Sequence, residues 1–295
     1  MIDRELLRKL RRIELRTSRL ADDHLVGSYH SVFKGRGMTF REVRRYVPGD
    51  DVRFIDWNVS ARMGELYVKV FVEERETTVW LAVDVSGSQR FGAAGRPKVD
   101  AAAELAALLA FTAVRNQDRV GLLLFTDRVE RFVPPRRGRP HVLRVVKEVL
   151  GARPRGRGTR LPEALERLAR LARRRAIVFV VSDFLDEGYE RPLRKLSLRH
   201  DVVPLRVFDQ REMELPVLGQ VCLEDMERGT RIELDTLDPR VRAGWRRQVE
   251  ARLAAHGEVL RRLRLEGADI DAGADPVPPL VELLHRRERR ARKTR

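Results

Sequence analysis

The chain has 295 residues, 43% hydrophobic and 35% charged, so it can bury a sizeable core and is not a disordered segment. Its formal charge of +16 invites a nucleic-acid reading, but only seven of the sixty basic residues are lysine and the arginines run among glutamates, as in EALERLARLARRR. That spread, with no zinc finger, aromatic RNA-binding motif or homeodomain-like pattern, argues against specific nucleic-acid binding, and the single Cys222 excludes an intramolecular disulfide or a cysteine zinc cluster.

The N-terminal stretch MIDRELLRKLRRIEL lacks the apolar run of a signal peptide, and its leucines at helical spacing predict an amphipathic helix over residues 3–20. Residues 27–75 are short pieces broken by glycine and proline and read as strands and turns, with VPGDD a turn. A junction falls near residue 76. Beyond it, TTVWLAVDV, DRVGLLLFTD, AIVFVVSDF and DVVPLRVFD are apolar strands, with VERFVPP a shorter one. Between them, KVDAAAELAALLAFTAVRNQ (with Pro97 near its first turn), PHVLRVVKEVLGA, LPEALERLARLARRR and YERPLRKLSLRH read as helices. Continuous apolar strands alternating with helices mean a parallel sheet covered on both faces. The expected fold is a doubly wound, mainly parallel α/β domain with a small N-terminal β-rich subdomain and C-terminal helices.

The C-terminal part predicts a hairpin with Gly229 at its turn, a helix over residues 239–265, ADIDA as an edge strand and a final helix. The expected division is residues 1–76, an N-terminal helix and β-rich subdomain; 77–285, the α/β domain with its C-terminal elaboration; and 286–295, a basic tail. That tail, in HRRERRARKTR, reads as a solvated helix end or a weak contact for an anionic surface. Residues 101–114, the longest apolar-rich segment, are interrupted by Glu104 and fall short of the roughly 20 residues a membrane span needs, so a cytoplasmic protein is expected.

The first core strand ends in three oxygen-bearing side chains at alternate positions, Asp84, Ser86 and Ser88. In open α/β sheets ligands bind beyond the carboxyl ends of the strands. Thr159, in the glycine-rich loop PRGRGTRLPEAL, and Asp183, directly after the strand VFVVS, should emerge at the same edge. Two serines, a threonine and two aspartates suit magnesium or manganese, hard cations that prefer oxygen ligands and keep several waters. The same residue types also cap helices and build Asx turns.

This constellation resembles the metal-ion-dependent adhesion site of von Willebrand factor type A domains: Asp-x-Ser-x-Ser, a distant Thr after glycines, and an Asp ending a later strand. The resemblance implies that Ser86, Ser88 and Thr159 hold the cation directly while Asp84 and Asp183 act largely through water. Where bacterial relatives often carry Met after the second serine, Gln89 stands here. Residues 34–76, KGRGMTFREVRRYVPGDDVRFIDWNVSARMGELYVKVFVEERE, are similar to the bacterial family called domain of unknown function 58. That resemblance implies action beside MoxR-type AAA+ ATPases in assembling or activating protein complexes.

Asp50, Asp51, Asp56, Arg53 and Arg62 read as internal ion pairs and a turn cap holding the small subdomain to the sheet, with Trp57 as packing. DIDAGAD fails as a calcium loop because Ala274 and Leu280 stand where glycine and a bidentate glutamate are needed. The glycines of RPRGRGTR lack a P-loop ending, VSGSQ is not a nucleophile elbow, and the six histidines form no zinc spacing, His141 being expected at the surface.

The leading expectation is therefore a binding module, not an enzyme, that captures an acidic residue of a partner protein, the ATPase or its client, on a magnesium-type ion. One alternative is a metal-dependent phosphoryl-transfer hydrolase with Asp84 as nucleophile, which lacks the second aspartate because Ser86 stands two residues on. Another is an Arg-rich nucleic-acid or membrane-surface binder.

Overall fold

The computed structural model describes residues 29, 32, 33, 38–73, 77–92 and 96–293. The helix expected over residues 3–20 lies outside them.

The small subdomain pairs β1 (Met38–Arg45) with β2 (Tyr67–Glu73) in antiparallel fashion. Between them, where only strands and turns were expected, lies a helix, α1 (Trp57–Met63). Its cause is local: the Asp56 carboxylate accepts from the Asn58 and Val59 amides, and Gly64, at φ 71°, ends the helix in the left-handed region. The acidic residues do pair internally, but within the subdomain rather than across to the sheet. Asp50 takes both Arg44 guanidinium nitrogens at 2.7 and 2.6 Å, Asp51 forks with Arg53, and Asp56 lies 3.4 Å from Lys69. Trp57 is 67% exposed and is not packing, because α1 turns Ser60 inward and carries Trp57 on its outer side.

The main sheet has six strands in the order β10-β7-β6-β3-β4-β5. Its members are β3 (Thr78–Asp84), β4 (Arg119–Phe125), β5 (Val129–Arg136), β6 (Ile177–Ser182), β7 (Asp201–Phe208) and β10 (Ala268–Asp271). All neighbours run parallel except β4 and β5. The antiparallel edge strand β5 carries Pro134 and Pro135, tolerable where one side of a strand has no ladder to donate to. On β4, Gly121 makes room for Trp80 of β3; a Cβ there would sit 2.6 Å from the indole ring.

The helices α2 (Lys98–Arg115), α3 (Arg139–Leu150) and α8 (Val277–Lys293) cover one face of the sheet. The other face is covered by α4 (Leu161–Leu171), α5 (Glu190–Ser197) and α7 (Pro239–Leu263). This two-sided cover is why the central strands read as unbroken apolar runs. The chain is thus a doubly wound α/β fold with a mainly parallel sheet. His141, expected at the surface, is buried instead: it shares the inner face of α3 with Val145 and Val149, and its Nε2 lies 2.8 Å from the Val120 carbonyl. A short helix, α6 (Gln210–Met213), follows β7. A separate hairpin, β8 (Gln220–Glu224) with β9 (Arg231–Asp235), turns at Gly229, φ 70°. Helix α8 continues through the basic C-terminal stretch, where Arg287 pairs with Asp201 and Arg290 with Glu266. Among the described residues no helix is long and apolar enough to cross a membrane.

On α7, His256 is buried against Phe184 and Tyr189, whose hydroxyl lies 2.9 Å from its Nδ1. Burial first, then the Arg206 charge, pushes its pKa from 6.5 down to about 4. The unfolded chain therefore takes up this proton before the folded one, so the His256 contribution to stability is full above pH 6.5 and is lost as pH drops towards 4. We expect urea unfolding of wild type to lose about 2–3 kcal/mol across that window relative to His256→Phe; parallel pH profiles for the two would contradict this.

Candidate metal centre

Asp84 closes β3 and is wholly buried, and the chain then turns through Ser86 into a single 3-10 turn, Gly87–Arg90. The Asp84 carboxylate accepts from the Ser86 amide at 2.9 Å and from the Ser182 hydroxyl, at the end of β6, at 2.7 Å. Ser88 donates to Asp183 at 2.7 Å, which leaves Ser86 as the donor in the 3.1 Å contact between the two serine oxygens. Asp84, Ser86, Ser88 and Asp183 thus form one connected cluster at the carboxyl ends of β3 and β6. Immediately after it, Phe184 holds φ 56°, a conformation that side chains other than glycine rarely adopt.

Thr159 reaches this edge by another route. Its loop is tied to the serine turn by the Gly87 amide, which donates to the Arg157 carbonyl at 2.7 Å, and to the end of β4 by the Arg160 amide on Thr126 O at 3.1 Å. The Thr159 side chain, however, donates to Glu227 Oε1 at 2.6 Å, and its amide to Oε2 of the same carboxylate at 3.1 Å. The structure therefore joins four of the five residues directly and places Thr159 beside them with its hydroxyl engaged by the β8–β9 hairpin.

Four residues of this region were not singled out from the sequence: Lys98, Ser182, Glu212 and Glu227. Lys98 is fully buried at the head of α2, its ammonium 3.0 Å from Asp183 Oδ2 and 2.6 Å from Glu212 Oε1. Burial works against its charge, but the Asp183 and Glu212 carboxylates outweigh it and hold its pKa above the ordinary lysine value. Adjacency could have found Ser182, which directly precedes Asp183, and a lysine opening an otherwise alanine- and leucine-rich helix could have flagged Lys98. Nothing in the local sequence marks Glu227, 68 positions from the threonine it holds.

Burial first, then the neighbouring Asp183, pushes the Asp84 carboxyl from 3.8 up to about 7, against the pull of its Ser86 and Ser182 donors. Adjacent ligands of an octahedral ion at about 2.1 Å stand roughly 3.0 Å apart, close to the 3.1 Å between Ser86 and Ser88. Beside them Gln89, 1% exposed, has no hydrogen-bond partner for either amide atom among the described residues, so polar capacity is left over for water or an ion. No three of His, Cys, Asp and Glu come together as a metal cage among the described residues, so any cation here would rest on hydroxyls. The donors present fit a small hard cation.

A protein of Mycobacterium tuberculosis H37Rv is 36% identical over 272 residues, covering 91% of this chain and 84% of that one. Among solved structures, BatB of Bacteroides thetaiotaomicron is similar at TM-score 0.48 and 16% identity over 72% of this chain and 99% of that one. A von Willebrand factor type A structure from Catenulispora acidiphila is similar at TM-score 0.41 and 13% identity over 75% of this chain and 43% of that one. The family described as protein of unknown function DUF58 matches residues 42–255, and on that match and the mycobacterial identity the chain belongs to the DUF58 family.

Proposed function

We propose that this chain is a protein-binding module whose sheet edge captures a carboxylate of a partner on a magnesium- or manganese-type ion. The observation that carries the reading is the hydrogen-bonded cluster of Asp84, Ser86, Ser88 and Asp183 at the carboxyl ends of two parallel strands, with the serine oxygens 3.1 Å apart. Ser86 and Ser88, with Thr159, would hold the ion. The buried Asp84 and Asp183 would orient its waters and balance its charge. When bound there, the cation supplies an electrophilic position open to an oxygen from outside. Neutral hydroxyl ligands leave that position more attractive to a carboxylate than a carboxylate cage would.

The partner we propose is a MoxR-type AAA+ ATPase or its client, the chain acting as an adaptor in assembling or activating complexes. What the resemblance of residues 34–76 implies supports the ATPase, and the chemistry of the site supports a partner that offers one acidic side chain. Binding, not catalysis, is the role proposed. Two residues after Asp84, where a phosphoryl-transfer site keeps an acid–base aspartate, stands Ser86, which has no useful proton exchange near neutral pH.

Ser86→Ala tests the reading. It removes one hydroxyl and leaves the Asp84 contacts to the Ser86 amide and Ser182 in place. We expect magnesium-dependent capture of a MoxR-type AAA+ ATPase to fall at least tenfold, with the urea midpoint little changed. Capture equal in wild type and variant, or equal with and without EDTA, would remove the proposal.

A further inference from the structure

The hairpin β8–β9 belongs to neither face of the main sheet, yet its tip lies on the candidate site. Asp225 builds that tip: its carboxylate accepts from the Glu227 and Arg228 amides at 2.9 and 3.1 Å, and its carbonyl from the Gly229 amide at 2.7 Å. The turn holds Glu227 outward, with both its oxygens on the hydroxyl and amide of Thr159. One residue earlier, the Met226 carbonyl comes so near Gly87, between the two site serines, that a Cβ on that glycine would stand 2.3 Å from it. The tip therefore spans the serine turn and the threonine together. At the other end the hairpin is fixed by the buried Thr236, whose hydroxyl accepts from the Leu218 amide and donates to the Gly219 carbonyl.

Resting on the carboxylate-capture reading above, we propose that Glu227 is the site's resident ligand. A carboxylate of the chain's own hairpin stands where a partner's acidic side chain binds, so partner binding is an exchange that displaces the hairpin tip. Both Glu227 oxygens are taken by the hydroxyl and amide of one candidate site residue, and the turn built on Asp225 holds them there. The exchange sets the partner chemistry: it must offer an acidic residue on an exposed turn and compete with a tethered one. A short tether gives an effective concentration in the millimolar range, so the resident carboxylate suppresses weak single acids and passes only partners with further contacts. Once displaced, the tip's apolar side chain Met226, already 43% exposed, is free to join the partner's surface.

The test uses the full chain, manganese as the cation and acetate as the carboxylate, in wild type, Glu227→Ala and the same-hairpin control Glu233→Ala. Water-proton relaxation reads manganese binding and its loss of water to acetate; hydrogen exchange reads the tip amides of residues 225–230. We expect manganese to bind all three, the acetate midpoint to fall about tenfold in Glu227→Ala alone, and tip exchange to rise at least tenfold there. Manganese bound equally with unchanged acetate midpoints would overturn the resident-ligand proposal and leave the metal reading intact. No manganese binding by any of the three would overturn the metal reading, and the resident ligand with it.

Discussion

Lys98→Met is expected to destabilise the chain by about 3–5 kcal/mol in metal-free buffer, the usual cost of stripping one partner from a buried ion pair. Methionine follows the stem of the lysine, so little packing is lost; what is lost is charge. The ammonium is the fully buried cation between Asp183, 4% exposed at its side chain, and Glu212, 23% exposed. Without it, Asp183 keeps, among the described residues, only the Ser88 hydroxyl and a 3.3 Å contact from the Leu185 amide, with the Asp84 carboxyl close by. If the cluster takes a divalent cation, millimolar magnesium should restore part of the loss, about 2.7 kcal/mol at a hundredfold excess over its Kd. Urea unfolding of wild type and variant, with EDTA and with magnesium, measures both quantities. A loss under about 1 kcal/mol would mean that water solvates Asp183 and that Lys98 is not its essential counter-charge.

The same residue shows where sequence reading reaches and where it stops. The doubly wound sheet was legible because strands covered on both faces have no freedom to be anything but apolar, and 3.6-periodic helices between them leave one topology class. That Asp84, Ser86 and Ser88 lie together was legible because they stand at alternate positions where one strand ends. Asp183 was legible because it directly follows another strand. Lys98 offered only the oddity of a charge opening an apolar helix, and Glu212 and Glu227 offered nothing local, since the contacts that give the three their meaning span 85, 114 and 68 positions. The small subdomain misled for the opposite reason. Its glycines and prolines mark turns well, but α1 is only seven residues long and owes its existence to one aspartate cap and one left-handed glycine rather than to an apolar face. Trp57 and His141 were exchanged between inside and outside because one residue says little about which side of a helix meets the core. For His141 the valines that follow at helical spacing carried the answer.

Asp84→Asn is expected to stabilise the metal-free protein at neutral pH while abolishing any response to magnesium. In the unfolded chain this carboxyl ionises near 3.8; in the folded chain burial, and then Asp183, holds its proton until about 7. Below pH 3.8 both states are protonated and the group contributes nothing. As pH rises from 3.8 to 7 only the unfolded state can ionise, so wild-type stability is lost across that window and the loss is complete above it. Three units at about 1.4 kcal/mol each set an upper figure of roughly 4 kcal/mol. The advantage of the asparagine variant in EDTA should therefore grow from nothing near pH 4 to several kcal/mol above pH 7. The amide keeps one acceptor for the Ser86 amide, and the Ser182 hydroxyl can turn to accept from the other side. The His256 imidazole works in the opposite sense over nearly the same pH range, so wild-type stability alone would look flat; only the difference between variant and wild type isolates Asp84. In magnesium the order should reverse: a divalent charge beside Asp84 favours its ionised form and stabilises wild type, whereas the neutral amide gains nothing. A difference profile that stays level from pH 4 to 8, or magnesium stabilisation equal in the two proteins, would show that the buried aspartate is a fold element and not the charge balance of an ion site.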